Sequence, residues 1–122
     1  MLGYVTLGTN NHEQACAFYD ALLGSIGHTR IFEDGPFVAW GVSLDEPAVA
    51  ITTPFDEKPA TVGNGMMVAM QMPSKEAVDA FYAKAIELGA TDEGAPGLRI
   101  EGFYAGYFRD LDGNKLNAFI FA

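Results

Sequence analysis

The chain has 122 residues, with sixteen acidic against seven basic side chains, a formal charge of −9 and 49% hydrophobic residues. That size and balance suit one soluble globular domain with its own core. The acidity argues against nucleic acid, whose phosphates need a basic footprint; it would favour a cationic ligand or simply serve solubility. No apolar run approaches the ~20 residues that span a bilayer, no charged leader precedes an apolar stretch, and the single Cys16 cannot form an internal disulfide. The expectation is a cytoplasmic protein with neither a membrane nor a nucleic-acid partner.

Tyr4-Val5-Thr6-Leu7 alternates and is rich in strand formers, so it reads as a strand. Asn10 and Asn11 each offer a side-chain oxygen to cap a helix from about His12 to Leu23. Ala15, Phe18, Tyr19 and Leu22 fall on one face of it, and Gly24 reads as its stop. Strands follow around 27–33, 36–43 and 48–53, with Asp34-Gly35 and Asp45-Glu46-Pro47 as turns. Residues 54–65, with two Pro and two Gly, read as a linker. A strand at 67–72 comes next, then a helix from about Lys75 to Leu88 capped by Ser74 and ended by Gly89. Val78, Phe81, Tyr82 and Ala85 form its apolar stripe. Gly94-Ala95-Pro96-Gly97 reads as an irregular stretch before strands at 98–100, 103–109 and 115–121. Asp110 to Asn114 reads as the last turn.

The second half repeats the first. A shift of 63 places Val5-Thr6-Leu7 on Val68-Ala69-Met70, Glu13 on Glu76, and Ala17-Phe18-Tyr19 on Ala80-Phe81-Tyr82. Gly24 and Gly89 agree once the second helix is allowed two more residues. The order β-α-β-β-β therefore occurs twice. A helix covers one face of each sheet, so the other face must meet a partner, a ligand or water. The expected fold is α+β: two tandem βαβββ modules forming a curved mixed sheet around a cleft, with helices on the outer face. One domain spans 1–122, with module one at about 1–53, the linker at about 54–65 and module two at about 66–122.

This arrangement resembles the glyoxalase / bleomycin-resistance / dioxygenase superfamily, the vicinal oxygen chelate fold. Tyr4-Val5-Thr6-Leu7-Gly8-Thr9 and Ala17-Phe18-Tyr19-Asp20-Ala21-Leu22-Leu23-Gly24 look like its first strand and helix. Asp110-Leu111-Asp112-Gly113-Asn114-Lys115-Leu116-Asn117 looks like its C-terminal signature. The resemblance extends over essentially the whole chain. It implies a cleft in which metal-dependent members hold one divalent ion through His and Glu, leaving open positions for vicinal oxygens of a substrate. Carried over, the four ligand positions are Tyr4, about Ala50, Met67 and Asn117, none a usual ligand for such an ion. The resemblance thus implies a glyoxalase-like protein without the usual metal site, and no cofactor is expected. Homodimers are common in the family, and one is expected here.

Strand alternation assigns the remaining faces. If Leu116, Ala118 and Ile120 pack on a helix, then Lys115, Asn117, Phe119 and Phe121 face the cleft or an interface. By the same rule Tyr4, Thr6, Met67, Ala69 and Gln71 face it. Tyr104 and Tyr107 lie in an aromatic strand, and which of them points inward is open; Trp40 is a further candidate. Arg99 could clamp an anionic group at the cleft mouth or form a rim salt bridge. The expected ligand-binding residues are therefore Tyr4, Thr6, Trp40, Met67, Gln71, Arg99, Tyr104, Tyr107, Asn117 and Phe119, a lining suited to a small apolar or aromatic molecule. The alternative is a lyase or dioxygenase of the same superfamily using Zn, Ni, Mn or Fe through non-standard ligands. Acid–base chemistry would then fall to Tyr4, Glu101 or Asp110. His12, His28 and Cys16 lie away from the ligand positions and read as solvated or core residues.

Overall fold

The computed structural model describes all residues from Met1 to Ala122. The chain divides into two compact units, Met1–Val62 and Gly63–Ala122. Each unit is a βαβββ module: a four-stranded mixed sheet with one helix packed on one face. The side of each sheet away from its helix is its open face.

Module one comprises β1 (Tyr4–Gly8), α1 (His12–Gly24), β2 (Thr29–Asp34), β3 (Phe37–Gly41) and β4 (Ala48–Thr52), in the sheet order β1-β4-β3-β2. β1 runs parallel to β4, a pairing that needs a long crossover, which α1 and the β2–β3 hairpin supply. Asn11 caps α1, its Oδ1 accepting from the Gln14 N–H at 3.2 Å. Asn10 does something else: its amide exchanges two hydrogen bonds with the backbone of Ala60, tying the linker back to the start of α1. Gly24 is the last helical residue rather than the stop, and the positive φ falls at Gly27 (84°). The chain needs that left-handed turn only after three more residues of descending backbone bonds have closed the helix end.

Alternation from the β1 and β4 register puts Leu7, Val38, Trp40 and Ile51 under α1, against Phe18, Tyr19 and Leu22, and all seven are buried. Tyr19 and Trp40 rings lie 5.7 Å apart. Fully burying a Leu, Ile or Phe side chain contributes about 1.5–3 kcal/mol, so this stripe dominates the module's stability. Asp20, next to Tyr19 in α1, accepts from Arg30 through both oxygens and from the Trp40 indole N–H at 2.8 Å. The Arg30 hydrogen bond holds its carboxyl below the usual range despite partial burial.

Module two comprises β5 (Val68–Gln71), α2 (Lys75–Glu87), β6 (Thr91–Ile100), β7 (Phe103–Arg109) and β8 (Lys115–Phe121), in the order β5-β8-β7-β6. Ser74 Oγ caps α2 by accepting from the Ala77 N–H at 3.0 Å, and Gly89 ends it at φ 105°. Val78, Phe81 and Ala85 pack on Phe108, Leu116 and Ala118, all buried. Beside them the Tyr82 hydroxyl donates to Asp92 at 2.7 Å; burial and that carboxylate push its pKa up to about 12.

One strand differs from expectation. β6 starts at Thr91 and absorbs the Gly-Ala-Pro-Gly stretch, with register shifts between Asp92 and Gly94, Gly94 and Gly97, and Leu98 and Ile100. It is an edge strand, where a proline costs no ladder bond and bulges are tolerated. Pro96 also leans on Gly106 of β7, where any Cβ would sit 2.9 Å from the ring. In the last turn, the buried Asp110 carboxylate accepts from the backbone N–H groups of Asp112 and Asn114 and from the Asn114 side chain.

Candidate functional site

The open face of module one carries Tyr4 and Thr6 from β1, Ala48 and Ala50 from β4, Phe37 and Ala39 from β3, and Phe32 from β2, in matching register. A bulge between Arg30 and Phe32 puts Ile31 beside Gly41, where a Cβ would come 3.0 Å from the Ile31 Cδ1. Small residues at 39 and 48 floor a depression of about 320 Å³. Tyr4, Phe32 and Phe37 wall it, with the Tyr4 and Phe37 rings edge-on at 5.6 Å and Phe32 and Phe37 at 6.0 Å. Leu44 and Glu46, from the β3–β4 connection, form its rim. Tyr4 begins the edge strand β1 and is 60% exposed.

The open face of module two carries Ala69 and Gln71 from β5, Lys115, Asn117, Phe119 and Phe121 from β8, and Phe103, Ala105, Tyr107 and Arg109 from β7. Met67 precedes β5 in step with Ala69 and is half exposed. Phe103, Phe119 and Phe121 form a cluster with ring centroids 5.5 Å apart. Arg99 and Lys115 both lie against the Tyr107 ring. Asn117 is 1% exposed, and its Oδ1 has no hydrogen-bond partner.

Two expected cleft residues belong elsewhere. Trp40 is on the helix-covered side of module one, 1% exposed and hydrogen-bonded to Asp20. Alternation places it with Val38, and its size suits the gap under Tyr19 rather than an open surface. Tyr104 is on the helix side of module two, where its hydroxyl donates to Asp79 at 2.6 Å and its pKa is raised mainly by that bond. Its neighbour three residues on, Tyr107, is the one on the open face. Arg99 forms no rim salt bridge; its guanidinium stacks on Tyr107 and donates to the Ala95 carbonyl. Sequence reasoning missed Phe32, Phe37, Leu44 and Glu46. Alternation along β3 would have found Phe37, but Phe32 needs the bulge to be known.

The family's divalent ion does not fit the residues present. Module one offers a phenol at Tyr4 and a methyl at Ala50; module two offers a thioether at Met67 and a neutral amide at Asn117. Such ions take imidazole, thiolate or carboxylate. No group of three or more His, Cys, Asp or Glu side chains lies close enough to share an ion. Both histidines are off these faces: His12 sits at the start of α1, its Nε2 at 2.7 Å from the Pro36 carbonyl, and His28 follows α1. Asp110 is committed to its turn and Glu101 is exposed in the β6–β7 turn.

The sequence pattern of the Glyoxalase/Bleomycin resistance protein/Dioxygenase superfamily matches residues 1–118, and the chain belongs to that superfamily. It is similar to the crystal structure of a glyoxalase/bleomycin resistance protein from Albidiferax ferrireducens T118, at 38% identity over 98% of this chain and 97% of that one, with a TM-score of 0.88. A glyoxalase/bleomycin resistance protein/dioxygenase family enzyme from Burkholderia phytofirmans PsJN shares the fold at 18% identity, covering 98% of each chain, with a TM-score of 0.78. A lactoylglutathione lyase from Agrobacterium tumefaciens does so at 18% identity over 98% of this chain and 92% of that one, with a TM-score of 0.70. Among curated proteins, none matches the chain.

Proposed function

We propose that this superfamily member binds a small apolar or aromatic molecule on its open faces, without the divalent ion of its metal-dependent relatives. The observation that carries this is the depression of about 320 Å³ on module one, walled by Tyr4, Phe32 and Phe37. Ligand pockets run from about 300 to 1,000 Å³, are mostly apolar, and carry a few polar groups that fix orientation. Here the Tyr4 hydroxyl and the Glu46 carboxylate supply those groups, and Thr6 adds a hydroxyl farther along the same face. Aromatic walls give large contact area at little entropic cost, since each ring has two side-chain torsions. Met67, Gln71, Arg99, Tyr107, Asn117 and Phe119 contribute from module two. Trp40 and Tyr104 support the sheets from beneath and take no part.

The lost ligand set supports binding rather than metal chemistry. The protein purified without chelator is expected to carry near-zero transition metal per chain by elemental mass spectrometry. A ratio near one-half or one would put the metal-dependent lyase or dioxygenase first. The protein is proposed to act as a cytoplasmic homodimer, in keeping with its family and its free Cys16; light scattering at twice 13.1 kDa tests the dimer. No helix is long and apolar enough to cross a membrane.

The pocket itself is tested by titrating ¹⁵N-labelled protein with 1-naphthol. Saturable amide shifts at 31–39 and 44–48 are expected, with binding weakened about tenfold in Phe37→Ala, the loss of roughly 1.4 kcal/mol of aromatic contact. Shifts confined to other segments, or none up to the solubility limit, would overturn the assignment.

A further inference from the structure

In a chain with seven cations against sixteen acids, a strip where cations gather needs a cause. One such strip lies on the open face of module two. The guanidinium carbon of Arg99 is 5.2 Å from the Tyr107 ring centroid, and Lys115 Nζ is 5.5 Å from it. Neither cation is in an ion pair, whereas Arg30, Lys84 and Arg109 each have a carboxylate. Arg109, directly across from Lys115, is taken up by Glu93 and the Gly113 carbonyl. Asp92 is a carboxylate that feels Arg99, and it already accepts from the Tyr82 hydroxyl and the Gly94 N–H.

The fold clears space for Arg99. A Cβ at Gly94 would come 3.2 Å from one guanidinium nitrogen, and a Cβ at Gly97 would come 3.1 Å from the other. The Ala95 carbonyl then holds the head group by a hydrogen bond. The glycines that broke the sequence pattern of β6 are thus the ones that let Arg99 fold back over Tyr107. A preset guanidinium loses less rotamer freedom on binding than a free one.

Next to this pair stands a polar atom with nothing to bond. Tyr107 and Asn117 are register partners on the same face, so their side chains are immediate neighbours. Asn117 is almost fully buried, and its Oδ1 has no partner. Buried acceptors are nearly always satisfied, and an exception calls for a missing donor.

We propose that module two's open face is an oxyanion site: Arg99 and Lys115, held over Tyr107, bind the carboxylate or phosphate of a small ligand, and Asn117 Oδ1 accepts a hydrogen bond from an N–H or O–H group of the same molecule. This deepens the proposed function, resting on its premise that the open faces bind small molecules, but it concerns a different module and a different chemistry. Two cations without ion pairs beside one ring attract an anion through charge-assisted bonds, stronger than neutral ones. The donor-bearing ligand is then distinguished from its donor-free analogue by the one acceptor that would otherwise stay unmet.

The test is a titration of the ¹⁵N-labelled full chain at constant ionic strength with glycolate, acetate and inorganic phosphate in turn. Saturable shifts are expected at the amides of Gly94, Gly97, Arg99 and Lys115, with glycolate binding about fivefold or more tighter than acetate. Arg99→Gln and Lys115→Gln should each weaken glycolate about tenfold, and Asn117→Leu should bring the glycolate-to-acetate ratio to about one. A preference for phosphate or for glycolate supports the site in either case and tells which group it takes. The inference is overturned if no anion shifts these amides saturably, or if Arg99→Gln binds like the wild type; both hold even if Asn117→Leu fails to fold, because Arg99 is exposed. The two readings separate in the same sample: 1-naphthol shifts without anion shifts would sink this site alone, and anion shifts without 1-naphthol shifts would sink the module-one pocket alone.

Discussion

Asn117→Leu is expected to stabilise the ligand-free protein. The side chain is 1% exposed and its Oδ1 is unpaired. Leaving a buried acceptor unsatisfied costs about 1–3 kcal/mol, whereas an apolar group of similar shape carries no such penalty. Leucine is somewhat larger than asparagine, and overpacking opposes part of the gain. The flanking Ala69 is small and exposed, so room exists on that side. A net gain of about 1 kcal/mol follows. At ~2.1 cal/mol/K per residue, unfolding of a chain this size carries an entropy near 0.26 kcal/mol/K, so Tm should rise by about 4 °C. Calorimetric melts of the wild type, Asn117→Leu and Asn117→Ala measure this directly. A fall in Tm of similar size for Asn117→Leu would refute the reasoning, because it would mean that the amide makes a bond that holds the sheet together.

Two further outcomes test the scaffold. Leu22→Ala, at the fully buried centre of the α1 stripe, should cost about 3 kcal/mol in urea unfolding; a cost under 1 kcal/mol would mean that α1 does not seal this sheet. Asp20→Asn removes the charge that meets Arg30. Because the folded Asp20 carboxyl titrates below its unfolded value, its stabilisation is present above the unfolded pKa of ~3.9 and is lost as pH falls through the folded value. Both partners are a third or more exposed, so solvent screening limits the effect to about 1 kcal/mol at neutral pH. The gap between variant and wild type should narrow in urea titrations as pH falls below the unfolded pKa of ~3.9; an equal gap at acid and neutral pH would contradict the ion-pair assignment.

The fold was legible because its main constraints are local and periodic. Phe18 and Phe81 announce two amphipathic helices, Asn11 and Ser74 their caps, and the shift of 63 the repetition. What failed to show is what depends on tertiary context. The Gly-Ala-Pro-Gly run looks like a loop by propensity, yet an edge position lets it join β6 with bulges. The bulge in β2 shifts Phe32 onto the open face, and a one-residue slip reverses every side chain after it. Trp40 was misplaced because size and aromaticity suggested a binding role, while its alternation with Val38 already put it under the helix. Tyr104 and Tyr107 are three apart in a strand, so they had to lie on opposite faces; only the packing of α2 says which is which.

The two modules also separate what the repeat preserves from what it releases. Positions facing the helices stay alike: Val5 and Val68, Leu7 and Met70, Phe18 and Phe81 are apolar in both copies. Close packing leaves them little choice, since even one methylene is felt in a core. Positions on the open faces part company. Tyr4 matches Met67 and Thr6 matches Ala69; module one sets aromatic walls around a small-residue floor, while module two sets two unpaired cations and an unmet amide oxygen on one tyrosine. A face that only had to stay soluble would have no use for a buried unpaired acceptor, which costs stability wherever it occurs. The differences between the copies therefore fall where ligand chemistry can act and stay out of where packing acts, and that division is the physical reason to test each open face with a different chemical group.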